Sequence, residues 1–348
     1  MEHGTRIKLV LIALSIISLS IICGVFLVVI SELTDPEPTI IINSYVKEHL
    51  NNYQYRVVLV SDDDSQSKNS TMYLSTYTEV LLSITKSSDA GSLHEKQSYT
   101  LRGYLGNGDH GMQLSDLVEF NDNLVTICDV TGILYKIPEA GTLSPWLILT
   151  IPSQKKHCAD APFHGEWITI KDDKLLVGMN FPDDNNYGSE YMHVKAISKS
   201  GEVVDLNWDE KYKKLKEGAG VMDSGFIRVH GCFWSSITHQ WVFALYAMAK
   251  TNRFNASNNQ LTNTIIIADE SLSEIRKLQI GSSNRGFTAV RPVPLSNDKI
   301  FIASKVEEYG DHFKTYLTVF QSDGTVIMQD CEISDEHKFE GIAFLKFE

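Results

Sequence analysis

The chain has 348 residues, 43% of them hydrophobic and 22% charged, which is enough apolar material for a sizeable globular core. Its formal net charge of −13 argues against a nucleic-acid partner, because an acidic surface repels phosphates. By the same reasoning, any nucleotide site on this chain needs a local cation.

Residues 1–8 contain Arg6 and Lys8, and residues 9–30 follow without a charge. At 1.5 Å per residue this apolar run extends about 33 Å, enough to cross a bilayer core. A cleaved signal peptide is the alternative, but the run is longer than an ordinary signal core and ends in Val28-Val29-Ile30-Ser31-Glu32, a poor cleavage site. Basic residues precede the span and Glu32, Asp35 and Glu37 follow it, so the N-terminus is expected to stay cytosolic. The sequence therefore reads as a cytosolic tail (1–8), a transmembrane signal anchor (9–30), a stalk around Asp35-Pro36-Glu37-Pro38 (31–54) and a lumenal domain (55–348). This describes a type II protein of the endoplasmic reticulum or Golgi, with release as a soluble form as a variant.

The first lumenal strand, Arg56 to Val60, runs into Ser61-Asp62-Asp63-Asp64-Ser65, an acid cluster that on its own reads as a solvated turn. Glycosylation sequons stand at Asn69-Ser70-Thr71 and Asn255-Ala256-Ser257, both on the lumenal side of the anchor. Cys128, Cys158, Cys232 and Cys331 allow three disulfide pairings and lack metal-type spacing; Cys128 and Cys232 fall in strand patterns that suit buried thiols.

The organising pattern is Gly111 to Ile137, in which apolar residues alternate on either side of the polar turn Asn121-Asp122-Asn123. A second turn at Asp129 to Gly132 leads to a third strand, Ile133 to Ile137. Similar hairpins begin at Trp167, Cys232 and Val290, with turns near residues 122, 173, 238 and 298. A spacing of roughly 50 to 65 residues is close to that of propeller blades, and on pattern alone a β-sandwich array remains open.

The segment MQLSDLVEFNDNLVTICDVTGILYKI resembles the ELSDL…FNGKLY…DDRTG…Y segment of the calcium-activated nucleotidase (apyrase) family. GEWITIKDDKLLVG, the CFWS…WVF hairpin, RGFTAVRPVP and KFEGIAF follow in the family's order, covering about residues 56 to 347. The resemblance implies an all-β, five-bladed β-propeller behind the N-terminal transmembrane helix, with Ca2+ in the central tunnel and nucleoside diphosphates as substrate. It matches Asp62 and Asp64 to an acidic pair beside the nucleotide. Asp64 would position or deprotonate the attacking water, and Asp129 would help to orient it. It matches Ser115, Glu166, Thr288 and Glu340 to calcium ligands, with Asp116 in the outer shell. The partners expected are the nucleoside diphosphate, the membrane through the N-terminal helix and, in a homodimer, a second copy.

The sequence departs from the family in three places. Val229-His230-Gly231 puts an imidazole where the resemblance implies a calcium-binding glutamate, and imidazole prefers softer metals. DDRTG has become Cys128-Asp129-Val130-Thr131-Gly132. The paired arginines after the WFF strand are replaced within Ala244-Leu245-Tyr246-Ala247, leaving Lys250 and Arg253 as nearby cations. Two readings follow: a calcium-dependent nucleoside diphosphatase of the secretory pathway, and a non-catalytic relative that binds calcium or a partner.

Overall fold

The computed structural model describes residues 40–64, 68, 72–106, 112–151, 160–180, 193–222, 224–250, 260–310 and 312–347. The expected anchor (9–30), both glycosylation sequons, Cys158 and Arg253 lie outside the described residues. Among the described residues no helix is long and apolar enough to cross a membrane.

The predicted hairpins form because their turns suit them. Asn121 and Asp122 both take positive φ (51° and 59°), as do Asp172 and Asp173 (52° and 60°). Two successive left-handed residues make the hairpin turn whose twist matches that of paired strands, and Asn and Asp tolerate this conformation. Among the described residues, the hairpins grow into four four-stranded antiparallel sheets, and a six-stranded sheet completes the ring of five blades. Leu114–Phe120, Gly165–Lys171, Phe226–Ser235 and Gly286–Pro292 are the first and innermost strands of blades two to five. Blade one takes its inner strand, Phe339–Leu345, from the C-terminus, paired antiparallel with Asn52–Ser61. The last strand thus closes a ring that the first strands opened, giving an all-β five-bladed propeller instead of an array of sandwiches.

Among the described residues, six apolar clusters sit between neighbouring blades, two of them between blades four and five. Trp167, Trp241 and Phe243 join blades three and four, for example, and Leu59, Leu317 and Phe339 join five and one. The expected stalk is shorter than the sequence suggested. Ile40–Asn43 and Val46–Glu48 extend the sheet of blade one, and Val46 is fully buried in the cluster between blades five and one. The proline-rich composition before it masked this, since two short strands carry little periodicity.

One irregularity recurs in all five blades. The pairing of each inner strand with its neighbour skips one residue, and the five skipped residues are Asp116, Glu166, His230, Thr288 and Glu340. A β-bulge re-aims a side chain and takes its residue out of the ladder. The propeller therefore carries a ring of five bulges at one level around its axis.

Candidate metal and catalytic site

The inner strands begin, and the second strands end, on the same face of the propeller, because the pairs are antiparallel. Three bulged residues send their side chains to one point there, and the ligand atoms of Glu166, His230 and Glu340 all lie within 4.8 Å of one another. His230 Nδ1 is 3.4 Å from Glu340 Oε1 and 3.9 Å from Glu166 Oε2. Ser115 Oγ donates to Glu340 Oε2 at 3.0 Å. Asn180, just past the second strand of blade three, donates from Nδ2 to Glu166 Oε1 at 2.9 Å and accepts the Val229 N–H at 2.8 Å. Tyr212, on the helix Asp209–Gly218, holds this strand end through the carbonyl of Met179.

The predicted acidic pair stands beside this group. Asp62 follows the second strand of blade one, and its Oδ1 accepts the Asp64 N–H at 3.0 Å. Gln113 Nε2 donates to Asp64 Oδ1 at 3.0 Å. Asp129, at the corresponding end in blade two, is half-buried, but its Oδ1 is sealed from solvent without a hydrogen bond.

At the centre is a residue that sequence reading passed over, Lys338. Its Nζ lies 3.0 Å from Glu340 Oε1, 3.4 Å from Glu308 Oε1, 3.6 Å from Asp62 Oδ2 and 3.8 Å from Asp64 Oδ2. Asp63 fixes the backbone here, accepting the Lys338 N–H at 3.0 Å, and its other oxygen meets His337 Nδ1 at 3.0 Å. Lys338 and Glu340 are two apart in an extended run and so share a face, a signal that could have drawn attention to it.

Electrostatics follow from the crowding. Burial pushes the Asp62 carboxyl well above the usual carboxylate range, and Lys338 only partly opposes this. Burial raises Asp64 as well, again against Lys338. Asp129 is pushed well above its ordinary value by burial, then by the charges of Asp62, Glu166 and Glu340. Burial would also raise Glu340, but Lys338, followed by His230, pulls it down to about 2. Lys338 is lifted well above its usual value because its four carboxylates outweigh the cost of burying an ammonium. Asp62, Asp64, Glu308 and Glu340 thus surround one ammonium, and Asp129 and Glu166 add their charge beside them, an arrangement that favours binding of further positive charge.

Two of the expected calcium ligands have other partners. Asp116, expected in the outer shell, is turned away from the cluster. Its Oδ1 accepts the Leu117 N–H at 2.9 Å and an Arg291 N–H, and its Oδ2 accepts the Ile168 N–H at 2.8 Å. A φ of 51° at this bulge re-aims the side chain. The Thr288 hydroxyl donates to the Phe339 carbonyl at 2.7 Å and meets Ser304 Oγ at 2.6 Å, so it ties blade five to blade one. Arg291 also bonds the carbonyls of Leu117, Ile168 and Cys232, plugging the tunnel with bonds to three other inner strands. Cys128 and Cys232 are buried free thiols, and burial raises Cys128 to about 11. In the run that lacks the arginines, Tyr246 stacks on His230 with ring centroids 4.2 Å apart and planes at 18°.

A five-bladed propeller with carboxylates, an imidazole and a buried lysine converging at one end of its axis defines a class of protein with a charged, ion-competent axial site. The sequence profile of the family described as Apyrase matches residues 61–345, and the chain belongs to that family. It is similar to "Apyrase apy-1" of Caenorhabditis elegans, at 31% identity with 84% of each chain covered. The Apyrase of Cimex lectularius is also 31% identical, covering 86% of this chain and 85% of the relative. Mouse "Soluble calcium-activated nucleotidase 1" is 28% identical, covering 84% of this chain and 74% of the relative. Family membership implies nucleotide phosphohydrolase activity.

Proposed function

We propose that the chain hydrolyses nucleoside diphosphates of the UDP or GDP type to monophosphate and phosphate, with a divalent cation as activator. The observation that carries this reading is the convergence of Asp62, Asp64, Asp129, Glu166 and Glu340 at one end of the axis of an Apyrase-family propeller. Calcium is named for the mouse relative, and carboxylates suit it. The donor set facing the His230 point, two carboxylates and an imidazole, falls short of the six to eight oxygens calcium takes. The chemistry is therefore argued from the chain's own groups.

Hydrolysis requires a bond from water oxygen to the terminal phosphorus and cleavage of the bond from that phosphorus to the bridging oxygen. Asp64 is the base for that water. Its side chain is 46% exposed at the mouth, and burial of the rest moves its carboxyl upward, toward the range in which a carboxylate accepts a proton effectively. Gln113 and the paired Asp62 hold it in place. Asp129, half-buried at the neighbouring strand end, orients the same water. Lys338 draws the neighbouring carboxylates together and fixes their spacing. Loss of a positioned base costs about 10²- to 10⁴-fold, so D64N should lower kcat by that order with the far-ultraviolet spectrum unchanged. Full activity in D64N would remove it from this role.

A non-catalytic, cation-binding propeller is the second reading, favoured by Tyr246, which stacks on His230 where the resemblance implies an arginine. For localisation we propose that residues 9–30 anchor the chain with the propeller in the lumen, supported by Arg6 and Lys8 ahead of an uncharged span. A glycosidase-sensitive mass shift at Asn69 and Asn255 tests it, and protection of both sites from glycosylation would contradict it.

A further inference from the structure

His230 is 6% exposed, and its Nδ1 is buried without a hydrogen bond, facing Glu340 Oε1 at 3.4 Å and Glu166 Oε2 at 3.9 Å. Those separations exceed the roughly 2.9 Å of a good N–H···O bond. They fall instead in the range that separates two ligands of one ion. Two atoms each about 2.1 Å from a metal are about 3.4 Å apart at a tetrahedral angle, and further apart at wider angles. Glu340 Oε1 is likewise buried and makes no hydrogen bond, although Lys338 Nζ lies 3.0 Å away.

The surrounding structure fixes the imidazole. Tyr246 lies parallel to it at 4.2 Å, and the pairing between their strands skips Tyr246 as well as His230, so two facing bulges set the stack. The other ring nitrogen, Nε2, is 3.4 Å from Asn180 Nδ2, too long to lock either tautomer. Three neutral oxygens on the surrounding strands already have hydrogen-bond partners. Ser115 Oγ donates to Glu340, Asn180 Oδ1 accepts from Val229 and the Thr288 hydroxyl donates to Phe339.

Imidazole nitrogen suits zinc, copper, iron and nickel, whereas calcium is held by oxygen. We propose that Glu166, His230 and Glu340 form a transition-metal site that takes Zn(II) in preference to Ca(II). The proposal deepens the reading of this cluster as the cation site of the phosphohydrolase, and rests on it for where a nucleotide meets the ion. Lys338 shares the Glu340 carboxylate and so moderates the affinity.

The test uses the full chain, purified in detergent and stripped of metal, titrated by calorimetry with Zn(II) and separately with Ca(II) in the absence of nucleotide. One Zn(II) per chain is expected, at least tenfold tighter than Ca(II), a difference of about 1.4 kcal/mol. H230E should reduce the Zn(II)-to-Ca(II) preference tenfold or more, and H230Q should weaken Zn(II) alone. Should either variant fail to fold, the wild type decides: Co(II) should give a visible spectrum with nitrogen in its coordination sphere that excess Ca(II) does not remove. Tighter Ca(II) than Zn(II) binding, or Zn(II) affinity unchanged in folded H230E and H230Q, overturns the proposal. Phosphate release is measured separately. Zn(II) bound through His230 in a chain that hydrolyses no nucleotide upholds the metal assignment and removes the enzymatic one, whereas hydrolysis that needs Ca(II), with no Zn(II) site, does the reverse.

Discussion

Arg291 is the tunnel residue whose removal should cost the most. Its guanidinium is buried, pairs with a fully buried Asp116 and bonds the carbonyls of Leu117, Ile168 and Cys232, which belong to three different inner strands. Methionine at this position keeps an unbranched apolar stem and deletes every donor, stranding a buried carboxylate and several carbonyls. Breaking a buried ion pair from one side costs about 3–5 kcal/mol. A domain of about 285 residues has an unfolding entropy near 0.6 kcal/mol per degree, so R291M should lower Tm by about 5–8 °C. Circular-dichroism melts would measure this, with D116N and the double variant completing a cycle; asparagine tolerates the positive φ at this position. The double variant should lose less than the sum of the singles, because neither partner is left alone. The pair also has a pH signature. Burial, only partly opposed by Arg291, lifts the Asp116 carboxyl to about 6. Folding therefore takes up a proton between about pH 4 and pH 6, so this group's contribution to stability falls as pH rises through that window. D116N should flatten that part of the profile. A Tm change below about 1 °C in R291M, or strict additivity in the cycle, would refute the assignment of Arg291 as the tunnel's structural plug.

Two further outcomes follow from the same electrostatics. K338M removes the ammonium shared by Asp62, Asp64, Glu308 and Glu340, so it should lower Tm at pH 7.5, with the deficit shrinking toward pH 5 as Asp62 and Asp64, which burial lifts, protonate; a deficit independent of pH would contradict this. Asp63 raises His337 through their hydrogen bond, so the stabilisation is present below the imidazole's ordinary value of about 6.5 and is lost as pH rises through the higher folded value. D63N should abolish that fall between wild-type stability at acid and at mildly alkaline pH, read by thermal melts.

Much of the architecture was legible because it is local. Asn121-Asp122 and Asp172-Asp173 mark tight hairpins, and alternation around them places the strands. The acids Asp62, Asp64, Asp129, Glu166 and Glu340 were legible through resemblance, and the structure brings them to one end of the axis. Closure by Phe339–Leu345 on Asn52–Ser61 could not be read from local pattern, since it joins the two ends of the chain. The bulges were also hidden. Skipping one residue inverts every later side chain, yet nothing in the composition of Ser115-Asp116-Leu117 marks the skip, so the turn of Asp116 toward Arg291 was not foreseen. Asn180 and Glu308 escaped notice because a residue at the end of a second strand looks like any polar loop residue until the blades are assembled.

The central claim, that the axial cluster is a cation-dependent site for nucleotide hydrolysis, is tested most directly by phosphate release from UDP, GDP and ADP. The full-length chain would be assayed with Ca(II), with Zn(II) and with chelator, alongside E340Q. Release that requires a divalent ion and is lost in a folded E340Q is the predicted result. No release from any of the three nucleotides with either ion, or release unaffected by chelator and by E340Q, would contradict it.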